Sequence, residues 1–406
     1  MKKYKKLLFA SLGVSFEYYD LAIYYLFAVS IGNKFFGEGN AVKGVFFVSI
    51  IYLITYAARP LGALLLGRIA DKKGRVFVLR VNMFILFVST LCLGLLPGIE
   101  VIGIMAPILF VSLRFVQCLA LGSEIPVSIV FITESYPHRR GLMLSIISVC
   151  LSLGIMMTSV VYFLLSHYTT DSFMHNYGWR VGYLIGALFT LSLFFLRRGI
   201  SDIPNIYREI NNHEIKKSSF FSKVFVGTML VAFIALAYSE LFQFLLPYVQ
   251  IYIEPNLDIS GMLIFGSLTM AIGAPIGGFI SDYVSRTKML AIIVIISMVL
   301  SSVFYMNLIK GQSFYIPFIV LTFVIGFFFS TYNIIVLDFF TLDRKCQGLG
   351  LSYTLGYLLF SSGIPALTIV VSSVTDSLLS PLYLIYFAGL VTLLGVVIVE
   401  IFTKKA

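Results

Sequence analysis

Apolar runs long enough to span a bilayer dominate the chain. They lie at roughly 7–32, 44–67, 77–96, 101–133, 141–167 and 180–197. A second set follows at roughly 222–250, 260–281, 288–308, 313–338, 348–373 and 379–402. A helix crosses the hydrocarbon in about 20 residues, so the pattern predicts twelve membrane helices. The longest polar stretch, "RRGISDIPNIYREINNHEIKKSS", separates the sets. It predicts six helices over 1–198, a linker over 199–221 and six helices over 222–406.

Composition agrees with that pattern. The chain is 59% hydrophobic and 12% charged, against about 25% charged for a soluble domain. The net charge of +10 would suit nucleic acid, but its placement does not. Basic residues gather at one end of the predicted spans: Lys2, Lys3, Lys5 and Lys6, then Arg68, Lys72, Lys73 and Arg75, then Arg139 and Arg140. Arg286, Lys288, Arg344, Lys345, Lys404 and Lys405 fall at the same end. The positive-inside rule makes that end cytoplasmic and both termini with it. Lipid headgroups satisfy the charge, and no nucleic-acid partner is expected. "MKKYKKLLFASLGVSF" has the charge and grease of a signal peptide but no small-residue cleavage site, and is read as a retained first span.

The two sets repeat. "GRIADKKGR" (67–75) and "GFISDYVSR" (278–286) both read G-x-x-x-D-x-x-[GS]-R. "ESYPHRRG" and "DFFTLDRKCQG" end the fourth and tenth runs. An offset of roughly 205 residues implies two similar halves about an axis along the membrane normal, with substrate bound between them.

Charges within the spans carry the chemistry, because each costs several kcal/mol in hydrocarbon and normally faces a cavity or a partner. Glu17 lies ten residues past Leu7, about 15 Å into the membrane. Gly13, Glu17, Asp20 and Tyr24 are spaced 4, 3 and 4, so they share a face. Arg114, Gln117, Leu121 and Glu124 share a face of the fourth helix. Where the first and fourth helices line one cavity, as the family resemblance set out below implies, Arg114 can meet Glu17 or Asp20. The plain reading of that pair is a permanent salt bridge. The functional reading is a switch: substrate carboxylate takes Arg114, and the released protein carboxylate takes a proton. Glu17 is slightly preferred to Asp20 as its carrier. Glu240 and Gln243 in helix 7, Asn333 in helix 10, and Tyr353 and Tyr357 in helix 11 are candidate cavity-lining groups. Tyr18, Tyr19, Tyr24 and Tyr25 cluster beside the acids, as packing or as a cage for an ammonium group.

These residues resemble a known family. "FEYYDLAIY", "ARPLGALLLGRIADKKGR", "LRFVQCLALGSE", "GWRVGYLIG" and "LRRGISDIP", in that order, resemble the metabolite–proton symporter family of the major facilitator superfamily. That family includes bacterial proline/betaine, α-ketoglutarate, citrate and shikimate carriers. The resemblance implies an all-α integral membrane fold of two pseudo-symmetric six-helix bundles, with helices 1 and 4 lining the cavity. It implies import of a small carboxylate-bearing metabolite by alternating access, with the proton as coupling ion and no cofactor. It also implies a cytoplasmic gate at Gly67, Asp71, Gly74 and Arg75, echoed by Asp282 and Arg286, with Glu134 and Arg139 in the same network. Arg59, with Pro60 at the inner end of helix 2, joins either the gate or the basic residues that serve topology alone. Ser123 and Ser285 depart from the family's usual glycines.

Other classes fit less well. A larger carboxylate ligand such as a siderophore, or proton-antiport efflux, is the alternative within transport. An enzyme is not expected. His138, His167, His175 and His213 lack metal spacing, and Cys92, Cys118, Cys150 and Cys346 form no disulfide or metal pattern. The expected protein is a monomer in a bacterial inner membrane, with small-molecule substrate, protons and lipid as partners.

Overall fold

In lipid no water reaches the main chain, so each apolar run must close its hydrogen bonds within itself. The computed structural model describes residues 2–36, 41–199, 219–254 and 257–404, and every regular element among them is helical. The first long helix is α1, Lys2–Leu26. The others are α2 (Gly44–Lys73), α3 (Arg75–Leu95), α4 (Met105–Ser135), α5 (Arg140–Tyr168) and α6 (Met174–Arg197). Then come α7 (Phe220–Gln243), α8 (Ser260–Ser281), α9 (Arg286–Ile309), α10 (Tyr315–Leu337), α11 (Lys345–Thr375) and α12 (Ser380–Ile401). Among the described residues, eleven helices, α2 to α12, are long and apolar enough to cross a membrane. In α1 the two acids and the surrounding tyrosines dilute the apolar run. The expected linker lies almost wholly outside the described residues.

Several runs differ from the sequence expectation. The first stops at Leu26 and resumes as a short helix, Ala28–Phe36. The fourth starts at Met105, because Gly103 takes φ +58° and ends a separate turn, Ile99–Ile102. The seventh passes into a π turn at Ser239–Gln243 and breaks at Phe244, before Leu245–Tyr252. The eleventh contains another π turn, Leu358–Ser362, and α6 opens on one, Met174–Gly178.

Helices α1, α2, α4 and α5 of the first set meet α7, α8, α10 and α11 of the second along a central seam. Small residues set the closest crossings, as expected where lipid gives helices little hydrophobic drive to associate. A Cβ on Gly122 would lie 2.1 Å from the Arg59 carbonyl oxygen, and one on Gly62 would lie 2.0 Å from that of Leu119. Glycine at both positions therefore lets α2 lie against α4. Gly122→Ala should cost about 1–3 kcal/mol by overpacking. It should lower the unfolding temperature in detergent by several degrees; an unchanged value would mean that α2 and α4 separate freely.

Candidate functional site

The four-three-four spacing on α1 turns Glu17 and Asp20 inward, and each meets its own arginine. Glu17 accepts a very short hydrogen bond from Arg59 of α2. Asp20 accepts from Arg114 Nη1 at 2.7 Å and from Gln117 Nε2 at 3.0 Å, both on α4. Arg114 also donates to Gln117 Oε1 at 2.7 Å, and Gln117 donates to Thr90 of α3 at 2.8 Å. Arg59 stacks 4.3 Å from the Tyr56 ring centre, and Arg114 lies 4.5 Å from that of Tyr24. The Tyr24 hydroxyl donates to the Val48 carbonyl at 2.8 Å. All four charged groups are buried.

Of the two partners that the sequence left open to Arg114, the structure selects Asp20. The partner of Glu17 is Arg59, which the sequence placed near the inner end of the second run. The reason is helix length: α2 continues to Lys73, so Arg59 falls midway along it. The bonding is unequal. Both Asp20 oxygens are engaged, whereas Glu17 Oε2 has no hydrogen-bond partner among the described residues. Each arginine also keeps Nε and Nη2 unpartnered among them.

Glu124, one turn beyond Leu121, joins a different set. It accepts from Arg197 at 2.5 Å and from Asn82 at 3.1 Å. Arg197 spends its remaining donors on the carbonyls of Phe9, Ala10 and Leu79. This clamp ties α1, α3, α4 and α6 together. Its polar members Asn82 and Arg197 stand in apolar runs and were the available signal for it.

The second half faces this site with hydroxyls and amides. Tyr18 hydrogen-bonds Tyr357 at 2.7 Å and Tyr353 at 3.1 Å across the seam, and stacks edge-on to Tyr238 at 4.7 Å. Glu240 and Gln243 are both buried in the π turn of α7. Glu240 accepts from Thr368 of α11 at 2.5 Å. Gln243 lies beside Tyr52 without a well-formed hydrogen bond. Asn333 donates to the Phe329 carbonyl at 2.7 Å, and its oxygen has no partner among the described residues.

At the basic end of the helices, paired carboxylates cross the seam. Asp71 accepts the amides of Cys346 (3.3 Å) and Gln347 (3.2 Å), the first turn of α11. A helix amino end carries partial positive charge and free amides, so an acid there is stabilised. Arg75 braces Asp71 at 3.0 Å and Glu134 at 2.9 Å. Gly74 takes φ +114°, which a residue with a side chain rarely adopts. Gly67 lets Gln347 approach: a Cβ there would lie 3.4 Å from its Cα. The repeat is mirrored. Asp282 accepts the amides of Gly141 (2.8 Å) and Leu142 (3.0 Å) at the start of α5, and pairs with Arg286 at 3.2 Å. One expected member differs. Arg139 is exposed at φ +58°, capping α5; Glu134 pairs with Arg75, and Arg140 makes the cross-seam pair with Asp338, at 2.7 and 3.1 Å.

Comparison with known proteins agrees with this architecture. A Staphylococcus aureus (strain COL) chain, provisionally named a proline/betaine transporter, is 28% identical over 349 residues, covering 82% of this chain and 73% of that one. The inner membrane metabolite transport protein YhjE of Escherichia coli (strain K12) is 27% identical over 381 residues, covering 89% and 86%. The solved proton:xylose symporter XylE, bound to 6-bromo-6-deoxy-D-glucose, superposes with TM-score 0.75 at 14% identity, covering 97% of this chain and 94% of that chain. The family model for the Major Facilitator Superfamily matches residues 10–364. The chain is thus a multi-pass membrane transporter, and it belongs to the Major Facilitator Superfamily.

Proposed function

We propose that this transporter imports a small carboxylate-bearing metabolite by proton-coupled alternating access. The substrate class is a zwitterion such as proline or betaine, or an organic acid. The protein sits in a bacterial inner membrane with twelve spans, α1 among them, and both ends in the cytoplasm. The observation that carries this reading is the pair of buried arginine–carboxylate contacts, in which both guanidiniums retain unspent donors. A guanidinium makes paired, charge-assisted bonds to a carboxylate, so a substrate carboxylate competes with Asp20 or Glu17 for the same donors.

Competition supplies the coupling. A carboxylate that loses its arginine in hydrocarbon is stabilised by taking a proton. A carboxylate that loses its proton recaptures the arginine and displaces the substrate. Glu17 suits the proton better than Asp20, because only one of its oxygens is engaged. The names of the S. aureus relative and of XylE support metabolite uptake and proton symport respectively.

The test is uptake into proteoliposomes of labelled proline, glycine betaine, α-ketoglutarate and citrate. An inside-alkaline pH gradient should drive accumulation of one of these classes. Glu17→Gln should abolish that accumulation while retaining counterflow exchange of the same solute. Gradient-driven accumulation by the variant at the wild-type level would remove Glu17 from the coupling step.

A further inference from the structure

A further buried acid, Glu240, has a different environment from Glu17 and Asp20. No Lys, Arg or His pairs with it among the described residues; it is buried and accepts a hydrogen bond from the Thr368 hydroxyl. Its Oε2 has no hydrogen-bond partner among those residues, although the residue is fully buried. Gln243, one turn on, has neither amide atom in a well-formed bond. The Ser361 and Tyr305 hydroxyls are likewise unpartnered, and Tyr305 lies within electrostatic reach of Glu240. A buried carboxylate without a counter-charge is among the costliest arrangements in a protein, and unsatisfied polar neighbours add to the cost.

The backbone points to the same place. Two π turns face each other there, Ser239–Gln243 in α7 and Leu358–Ser362 in α11. The Ser239 hydroxyl joins them by donating to the Ser361 carbonyl at 3.1 Å. The Phe244 amide donates to the Ser239 carbonyl at 2.8 Å, so the Glu240 carbonyl does not receive its usual donor four residues on. Single π turns occur often at functional sites, and interrupted membrane helices offer backbone oxygens to ions.

We propose that Glu240, with the Gln243 side-chain oxygen, the Glu240 carbonyl and the Ser361 and Thr368 hydroxyls, forms a site for a hard monovalent cation, sodium in the first instance. The donor set is all oxygen, which suits hard cations. Once the ion displaces its carboxyl proton, it holds a single negative charge, which one monovalent cation balances. No cluster of three His, Cys, Asp or Glu residues exists among the described residues, so the site does not suit a transition metal. The arginine pairs are Arg59–Glu17 and Arg114–Asp20, and Glu240 bonds Thr368, so this carboxyl is distinct from the two invoked in the substrate-carboxylate reading above.

The test needs no transport. The unfolding temperature of the purified full-length protein is measured against NaCl, with N-methyl-D-glucamine chloride holding ionic strength and pH constant. Ligand linkage predicts a saturable sodium-dependent rise of roughly 3 °C. Glu240→Gln should lose that rise and, in sodium-free buffer, be at least as stable as wild type, because it removes a buried carboxyl that has no counter-charge. Gln243→Ala keeps the carboxylate and should need roughly tenfold more sodium, a change of about 1.4 kcal/mol; it decides the matter if Glu240→Gln does not fold. A wild-type temperature indifferent to sodium overturns the site, as does a normal sodium response in Glu240→Gln. A shift produced by an ammonium-bearing solute but not by sodium also overturns it. In each of these cases pH-driven uptake stands or falls independently.

Discussion

Arg114→Gln should leave no measurable uptake, a loss of about a hundredfold or more, and should also unfold at a markedly lower temperature. The variant strands Asp20 in the protein interior with Gln117 as its remaining partner. Removing one member of a buried ion pair costs about 3–5 kcal/mol. Loss of activity alone would therefore not separate substrate binding from folding. The double variant Asp20→Asn/Arg114→Gln makes that separation. It removes both charges, keeps similar shape and retains hydrogen-bonding groups, and such neutral replacements are often harmless to stability. The expected result is near-normal thermal stability with uptake still absent, because no guanidinium remains to hold a carboxylate. Recovery of uptake along with stability would make the Arg114–Asp20 contact a packing device. Arg114→Lys sharpens the comparison. Lysine keeps the charge but not the planar fork, so it should preserve more stability than transport.

The spacing on α1 and α4 placed Glu17 with Asp20, and Arg114 with Gln117, on shared faces, because helical periodicity fixes which residues share a face; it left open which acid Arg114 meets. The same periodicity could not pair Glu17 with Arg59. That contact depends on how far α2 runs and on the glycines at 62 and 122 that set its crossing with α4, and helix ends are the least legible feature of an apolar run. Glu124 shows a further limit. It shares the face of Arg114 and Gln117, yet Arg197 at the far end of α6 claims it. Such long-range polar partners are invisible to local pattern. The cross-seam carboxylate contacts were legible for a different reason. Their elements repeat between the halves, so Asp71 and Asp282 each marked the other. The π turns of α7 and α11 left no trace in hydropathy, since a π turn preserves an apolar run while redirecting the side chains around it.

Asp71→Asn should make Cys346 react with a maleimide about ten times faster. In the wild type Cys346 is buried at the start of α11, and its amide is one of the two that Asp71 holds. Hydrogen bonds to a charged acceptor contribute about 1.5–3 kcal/mol each. The substitution keeps the side-chain volume but loses the charge, the pairing with Arg75 and one accepting oxygen. A loss of only about 1.4 kcal/mol in the closed arrangement raises the open population tenfold. Site-resolved mass spectrometry reads Cys346 separately from exposed Cys92 and from buried Cys118 and Cys150, which lie away from the Asp71 contact. The mirrored acid gives an independent handle. Asp282→Asn releases the start of α5 rather than α11, so alone it should raise Cys346 reactivity less than Asp71→Asn. Combined with Asp71→Asn it should raise it beyond either single change, because the two contacts close the same seam at different points. If Cys346 reacts at the wild-type rate in both variants, the seam is held by helix packing. The carboxylates would then be stabilising helix ends without controlling access, and the α2–α11 contact at Gly67 would become the element to test.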